Sequence, residues 1–199
     1  MSAEIDFYFD FSSSYSYVAL PDVLKLAARQ DVTINWKPFL LGVIFNAHGH
    51  AAPAADDVKM KYMGRDLGRR AEAAGLPPFV TPSPFPFNGI TAMRAFWYLD
   101  EVDPGKAVEW VRAVFSASFA EGRDCSNPET LADIARRLDL DPQRVLEATA
   151  DDAIKAKLKQ STGEALDRGV FGAPTFFVGD EMFWGGDRLA DLERHIATA

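Results

Sequence analysis

Apolar side chains at Ile5, Phe7, Phe9 and Phe11 alternate with Asp6, Tyr8 and Asp10, the two-residue period of a strand that buries one face. Ser12, Ser13 and Ser14 then offer capping oxygens to a helix predicted from about Ser14 to Arg29. Tyr17, Leu20, Val23, Leu24 and Ala27 form its apolar stripe, and Pro21 is expected to kink it. Alternation returns where Val32, Ile34 and Trp36 are interleaved with Thr33, Asn35 and Lys37. A strand reached through a helical crossover should lie parallel to the first.

From there to about Arg168 the strand signal nearly vanishes and helical spacing replaces it. Met60, Met63, Leu67, Ala71 and Ala74 mark one amphipathic helix, Val108, Val111, Phe115 and Phe119 a second, and Leu131, Ile134, Ala135 and Leu138 a third. Asn127-Pro128 and Asp141-Pro142 each read as an N-cap followed by proline at the first helical position. The segment 76–88 is too rich in proline for regular structure and too aromatic for a solvated linker, so it should pack down as one wall of a cleft. After Gly169, strands at Thr175 to Val178 and Glu181 to Trp184 flank a tight turn at Gly179-Asp180, and a helix with Leu189, Leu192 and Ile196 follows. This order predicts an α/β chain in which a thioredoxin-like core (about 1–60 and 161–199) is interrupted by an all-helical insertion (about 61–160).

Composition narrows the function classes. A chain of 199 residues, 48% hydrophobic and 25% charged, has enough apolar matter for a packed core and no apolar run of transmembrane length, which argues against disorder and membrane spanning. A net charge of -8 with no basic face argues against nucleic-acid partners. Cys125 is the sole cysteine and stands in the loop 122–128 without a second soft ligand, so neither a disulfide nor a metal site is expected and the thiol reads as incidental. The N-terminus shows no basic-then-apolar leader before its first strand, which makes the cytoplasm the expected compartment.

A thioredoxin-type fold carries a C-x-x-C pair at the start of its first long helix, beside the residue that precedes a cis-proline. Here Ser13-Ser14-Tyr15-Ser16 holds that place and Ala173-Pro174 supplies the proline. Such a chain cannot cycle a disulfide of its own, so sulfur chemistry would need a sulfur brought by a ligand, for which glutathione is the candidate. Taken alone, a serine cluster at a helix start reads first as capping residues.

The chain resembles the 2-hydroxychromene-2-carboxylate isomerase and kappa-class glutathione transferase family of the DsbA-like thioredoxin superfamily. The resemblance rests on Phe7-Tyr8-Phe9-Asp10-Phe11 with Ser13 and Tyr17, Tyr62-Met63 with Asp66-Leu67, Ala92-Met93-Arg94-Ala95, and Glu121-Gly122-Arg123-Asp124. It extends through 169–179 and Phe183-Trp184-Gly185-Gly186-Asp187-Arg188-Leu189. It implies that Ser13 holds the glutathione sulfur, its hydroxyl favouring the thiolate at the positive end of a helix. It further implies that Ala173, before a cis Pro174, pairs with the cysteinyl peptide, that Trp184, Gly185, Gly186 and Asp187 take the glutamyl end, and that Lys59 lies near the glycyl carboxylate. A homodimer is implied as well.

Three departures bear on the substrate. Ser14 replaces a common proline, the stretch 47–50 carries His50 where an asparagine is common, and Ile90-Thr91 stand where naphthalene-pathway isomerases carry an arginine pair. His50 is a candidate substrate contact or acid/base group, and Phe85, Phe87 and Asn88 suggest a pocket for an aromatic or flat apolar electrophile. The resemblance implies a glutathione-dependent isomerase of an unsaturated carbonyl or aromatic-degradation intermediate. A kappa-type transferase conjugating an electrophile is the alternative, and a non-catalytic thioredoxin-like binding module is a third reading from a different class.

Overall fold

The computed structural model describes residues 3–50 and 57–198. Strand β1 (Glu4–Phe9), helix α1 (Ser14–Gln30) and strand β2 (Thr33–Pro38) form a crossover unit in which β2 lies parallel to β1, Ile5 opposite Ile34 and Phe7 opposite Trp36. Helices follow: α2 (Leu41–Ala47), α3 (Asp57–Ala73), α4 (Ile90–Val102), α5 (Pro104–Phe119), α6 (Pro128–Arg137), α7 (Pro142–Ala148) and α8 (Asp152–Asp167). Strands β3 (Thr175–Val178) and β4 (Glu181–Trp184), a 3-10 turn over Gly186–Arg188 and helix α9 (Leu189–Thr198) complete the described chain. The sheet order is β2-β1-β3-β4, with β3 antiparallel to both neighbours.

Phe7, Phe9 and Phe11 are wholly buried. The Phe7 ring stacks 5.0 Å from Phe176 on β3, Phe9 meets Phe96 of α4 edge-on at 6.0 Å, and Phe11 meets Phe115 of α5 at 5.2 Å. One apolar cluster therefore runs from the sheet into the helices. Each such side chain contributes roughly 1.5–3 kcal/mol of burial. Tyr8, pointing to the opposite face of β1, joins a smaller cluster with Phe39, Ile44 and Phe177. Pro21 does not end α1, which continues to Gln30 and stops where Asp31 adopts a left-handed φ of 51°. Strand β1 ends two residues before Phe11, which is buried from within the following turn.

Candidate active site

Between β1 and α1 the chain turns through Asp10 and Ser13. Ser13 is the N-cap of α1: its backbone is extended, and its Oγ accepts the N–H of Ser16 at 3.2 Å. The same Oγ donates to the carbonyl oxygen of Ala173 at 3.0 Å, and the Ala173–Pro174 peptide is cis. Cap and link to the proline segment are thus one hydroxyl, and the capping reading of Ser13 does not exclude a second role. Asp10 holds the turn. Its Oδ1 accepts from the N–H (2.7 Å) and hydroxyl (2.8 Å) of Ser12, and its Oδ2 accepts from the N–H of Leu41 at 2.9 Å. Burial pushes the Asp10 carboxyl above the usual carboxylate range, outweighing the hydrogen bonds from Leu41 and Ser12 that pull it down.

Ser13 opens onto a cavity of about 750 Å³. Lys59, Ala173 and Trp184 line it too, as do His50, Phe85, Phe87 and Asn88. The remaining wall is largely apolar: Leu40, Val43 and Phe45 from the α2 region, Met63 from α3, and Ile90 and Met93 from α4. His48, two positions from His50, turns away from it, with Nε2 3.2 Å from the carbonyl oxygen of Val170. Phe87 is only 4% exposed and packs near Phe119, so most of its ring belongs to the core, whereas Phe85 is half-buried. Pro174, Gly185, Gly186 and Asp187 line an adjoining cavity of about 720 Å³. Tyr15, Ala173 and Trp184 belong to both cavities.

A family model for the DSBA-like thioredoxin domain matches residues 4–197. A 2-hydroxychromene-2-carboxylate isomerase from Pseudomonas putida is 34% identical over 191 residues, 95% of this chain and 92% of that one. The chain belongs to this isomerase family of DSBA-like thioredoxin domains. A solved structure of 2-hydroxychromene-2-carboxylate isomerase shares its fold with a TM-score of 0.89 at 32% identity, covering 98% of this chain and 95% of that chain. Glutathione S-transferase kappa 1 of Caenorhabditis elegans is 28% identical, covering 94% of this chain and 89% of its own. Relatives at these distances are enzymes of two kinds, isomerases and glutathione transferases.

In this isomerase-family chain close backbone approach shapes both cavities. Gly185 has φ of 101° and donates its N–H to the carbonyl of Pro174 at 2.9 Å. A Cβ on Gly172 would overlap the indole nitrogen of Trp184, whose ring lies 4.9 Å from Phe171. Hydrogen bonding to Arg188 at 2.9 Å, helped by the charge of Arg70, holds the Asp187 carboxyl below its ordinary range. Tyr15 donates to Asp66 at 3.2 Å, and the Arg70 Nε donates to the same carboxylate oxygen at 2.8 Å. Burial and the Asp66 carboxylate push the Tyr15 hydroxyl up to about 12, so it remains a neutral donor at physiological pH.

Asp10, Tyr15, Arg70 and helix α2 are parts of the site that spacing did not point to. Asp10 belongs to the first motif of the resemblance and Tyr15 stands within the serine cluster, but neither carried a sign of its role in the site. The run Leu41-Gly42-Val43-Ile44-Phe45 carries an apolar pattern too short to separate a helix from a strand. Among the described residues no group of His, Cys, Asp and Glu is arranged to hold a metal ion, and no helix is long and apolar enough to cross a membrane. Cys125 is buried and lines neither cavity, and burial pushes its thiol up to about 11.

Proposed function

We propose that the protein is a glutathione-dependent isomerase acting on a flat, unsaturated carbonyl compound, of the kind that 2-hydroxychromene-2-carboxylate isomerases handle. The observation that carries this reading is the Ser13 hydroxyl, placed at the N-terminus of α1, bonded to the carbonyl before a cis-proline and facing a largely apolar cavity. The donor set suits glutathione: a hydroxyl and a helix N-terminus for a thiolate, with a neighbouring cavity that offers a carboxylate at Asp187 and backbone at Gly185 and Gly186. Glutathione supplies the nucleophilic thiol that adds to an electrophilic carbon and is released once the isomer has formed.

Ser13 turns its O–H from the Ala173 carbonyl to the sulfur, while the positive end of α1, where the chain's N–H groups point, adds positive potential. Ala173 presents its backbone to the cysteinyl peptide in the manner of an added strand, Pro174 and Trp184 frame it, Asp187 pairs with the glutamyl ammonium, and Lys59 lies toward the glycyl carboxylate. The substrate lies against Phe85, Asn88, Ile90 and Met93, with His50 as a contact or proton-transfer group and the rim of Phe87 at its edge. An aromatic-degradation step in the cytoplasm, carried out by a homodimer, is the setting that the resemblance suggests. The kappa relative favours a second reading, in which the glutathione adduct leaves as product. Mass spectrometry of the product separates them, since conjugation retains glutathione and isomerisation does not.

The first test is thermal unfolding with glutathione. At a hundredfold excess over Kd a native-state ligand adds about 2.7 kcal/mol of stability. For a chain of this size that raises Tm on the order of 5–10 °C. S-methyl glutathione, which has no thiol to ionise, should give less, and no shift with glutathione would overturn the reading in favour of a module that needs no thiol.

A further inference from the structure

Asp10 is a buried carboxylate to which the proposed chemistry gives no role. It lines the cavity that Ser13 faces and is 4% exposed, and what acts on it among the described residues is burial and the hydrogen bonds from Ser12 and Leu41, with no basic side chain. Removing a carboxylate from water without a counter-charge is costly, so the fold must gain something that a neutral side chain would not supply. The gain is visible in its hydrogen bonds. One oxygen takes both donors of Ser12, one residue before Ser13, and the other takes the N–H of Leu41 at the start of α2. Packing closes around it: a Cβ on Gly89, just before α4, would stand 3.8 Å from Oδ1 and only 3.2 Å from the Met93 terminal methyl.

We propose that Asp10 is a positioning residue for the sulfur site, its carboxylate tying the serine turn to the first N–H of α2 so that Ser13 and the α2 wall keep one fixed relation across the cavity. The inference rests on the glutathione reading of Ser13. Asparagine cannot replace it, because an amide has one acceptor oxygen and would aim its NH2 at either the Ser12 donors or the Leu41 N–H. One side of the cavity would then be released. A hydroxyl stabilises a thiolate only while its direction is fixed, and small displacements of such a donor are expensive in rate.

The test uses the full-length protein with glutathione as the probe, reading the ultraviolet absorbance of the bound thiolate against pH together with turnover. In Asp10→Asn the bound thiol should titrate upward, toward the free-thiol value near ~8.5. Turnover should fall roughly tenfold. A downward titration would show that Asp10 acts only through its charge. An unchanged titration with a lowered Tm would show a purely structural part, and either result overturns the proposal. Should Asp10→Asn fail to fold, Ser12→Ala decides, because it removes one of the hydrogen bonds to Oδ1 and leaves the Leu41 tie. It should shift the titration upward by less, and no shift overturns the proposal. Absence of a thiolate signal in the unsubstituted protein would overturn the glutathione reading itself, a result distinct from a normal signal that survives both substitutions.

Discussion

Ser13 caps a helix and faces a cavity with the same oxygen, so its substitution mixes stability with chemistry unless the replacement is chosen to separate them. Alanine at an N-cap costs about 1 kcal/mol, whereas glycine costs only a few tenths. Both variants lose the bond to Ala173, so Ser13→Gly should keep a higher Tm than Ser13→Ala while glutathione-dependent turnover falls tenfold or more in each; the losses are read as about 1.4 kcal/mol per decade of rate. Full activity in the glycine variant would remove the hydroxyl from the reaction. Asp10 adds a pH dependence whose sign is opposite to that of an ordinary paired carboxylate. Because burial raises its folded pKa, its contribution is most favourable below the unfolded value near ~3.9 and is lost as pH rises through the folded value. Urea unfolding across that window should show the wild type losing stability relative to Asp10→Asn as pH rises, and a relative gain would contradict the assignment.

At the scale of elements, what the sequence made legible was local. The strand alternation at Ile5 to Phe9, the capping serines and the Asn127-Pro128 and Asp141-Pro142 starts act within a few residues and appear where their spacing put them. Helix α4 was harder to read because Ile90, Trp97 and Tyr98 put large apolar side chains outside its buried stripe of Ala92, Ala95, Phe96 and Leu99, which leaves no clean polar face. The segment 76–88 shows the same limit. Its aromatic character marked a cleft wall, yet the division of labour between neighbouring rings depends on Phe119, more than thirty positions away, whose ring meets Phe85, Phe87 and Phe79. Phe85→Ala should weaken binding of an aromatic substrate with little change in glutathione affinity. Phe87→Ala should instead behave as a core deletion costing about 3–5 kcal/mol, with both affinities disturbed. Equal, purely substrate-directed effects in calorimetric titrations of the two variants would refute this distinction.

Across the whole molecule, the aromatic side chains of β1 are shared between the sheet and α4 and α5, so the main apolar cluster belongs to both parts, while the smaller one around Tyr8 lies on the other face of the sheet. Unfolding should accordingly be a single transition, with near-ultraviolet and far-ultraviolet dichroism tracing one curve. Two separated midpoints would show that the helices 61–160 fold as an independent unit. The parallel crossover from β1 to β2 followed from the order of patterns along the chain. The pairing of two adjoining cavities did not, because it is assembled from the β1–α1 turn, α2, α3, the 76–88 segment, α4 and the proline hairpin, and no periodicity within any one of them encodes that meeting.

The place of Trp184 gives the molecule a built-in optical probe. Among the four tryptophans, Trp110 is wholly enclosed and only Trp184 borders both cavities, with half its surface open to solvent. An indole so placed exchanges water for ligand when either chamber fills, and its emission should respond to each. Titrations that add glutathione and then a flat aromatic compound should therefore yield two successive fluorescence changes from one unlabelled residue, and Trp184→Phe should abolish both.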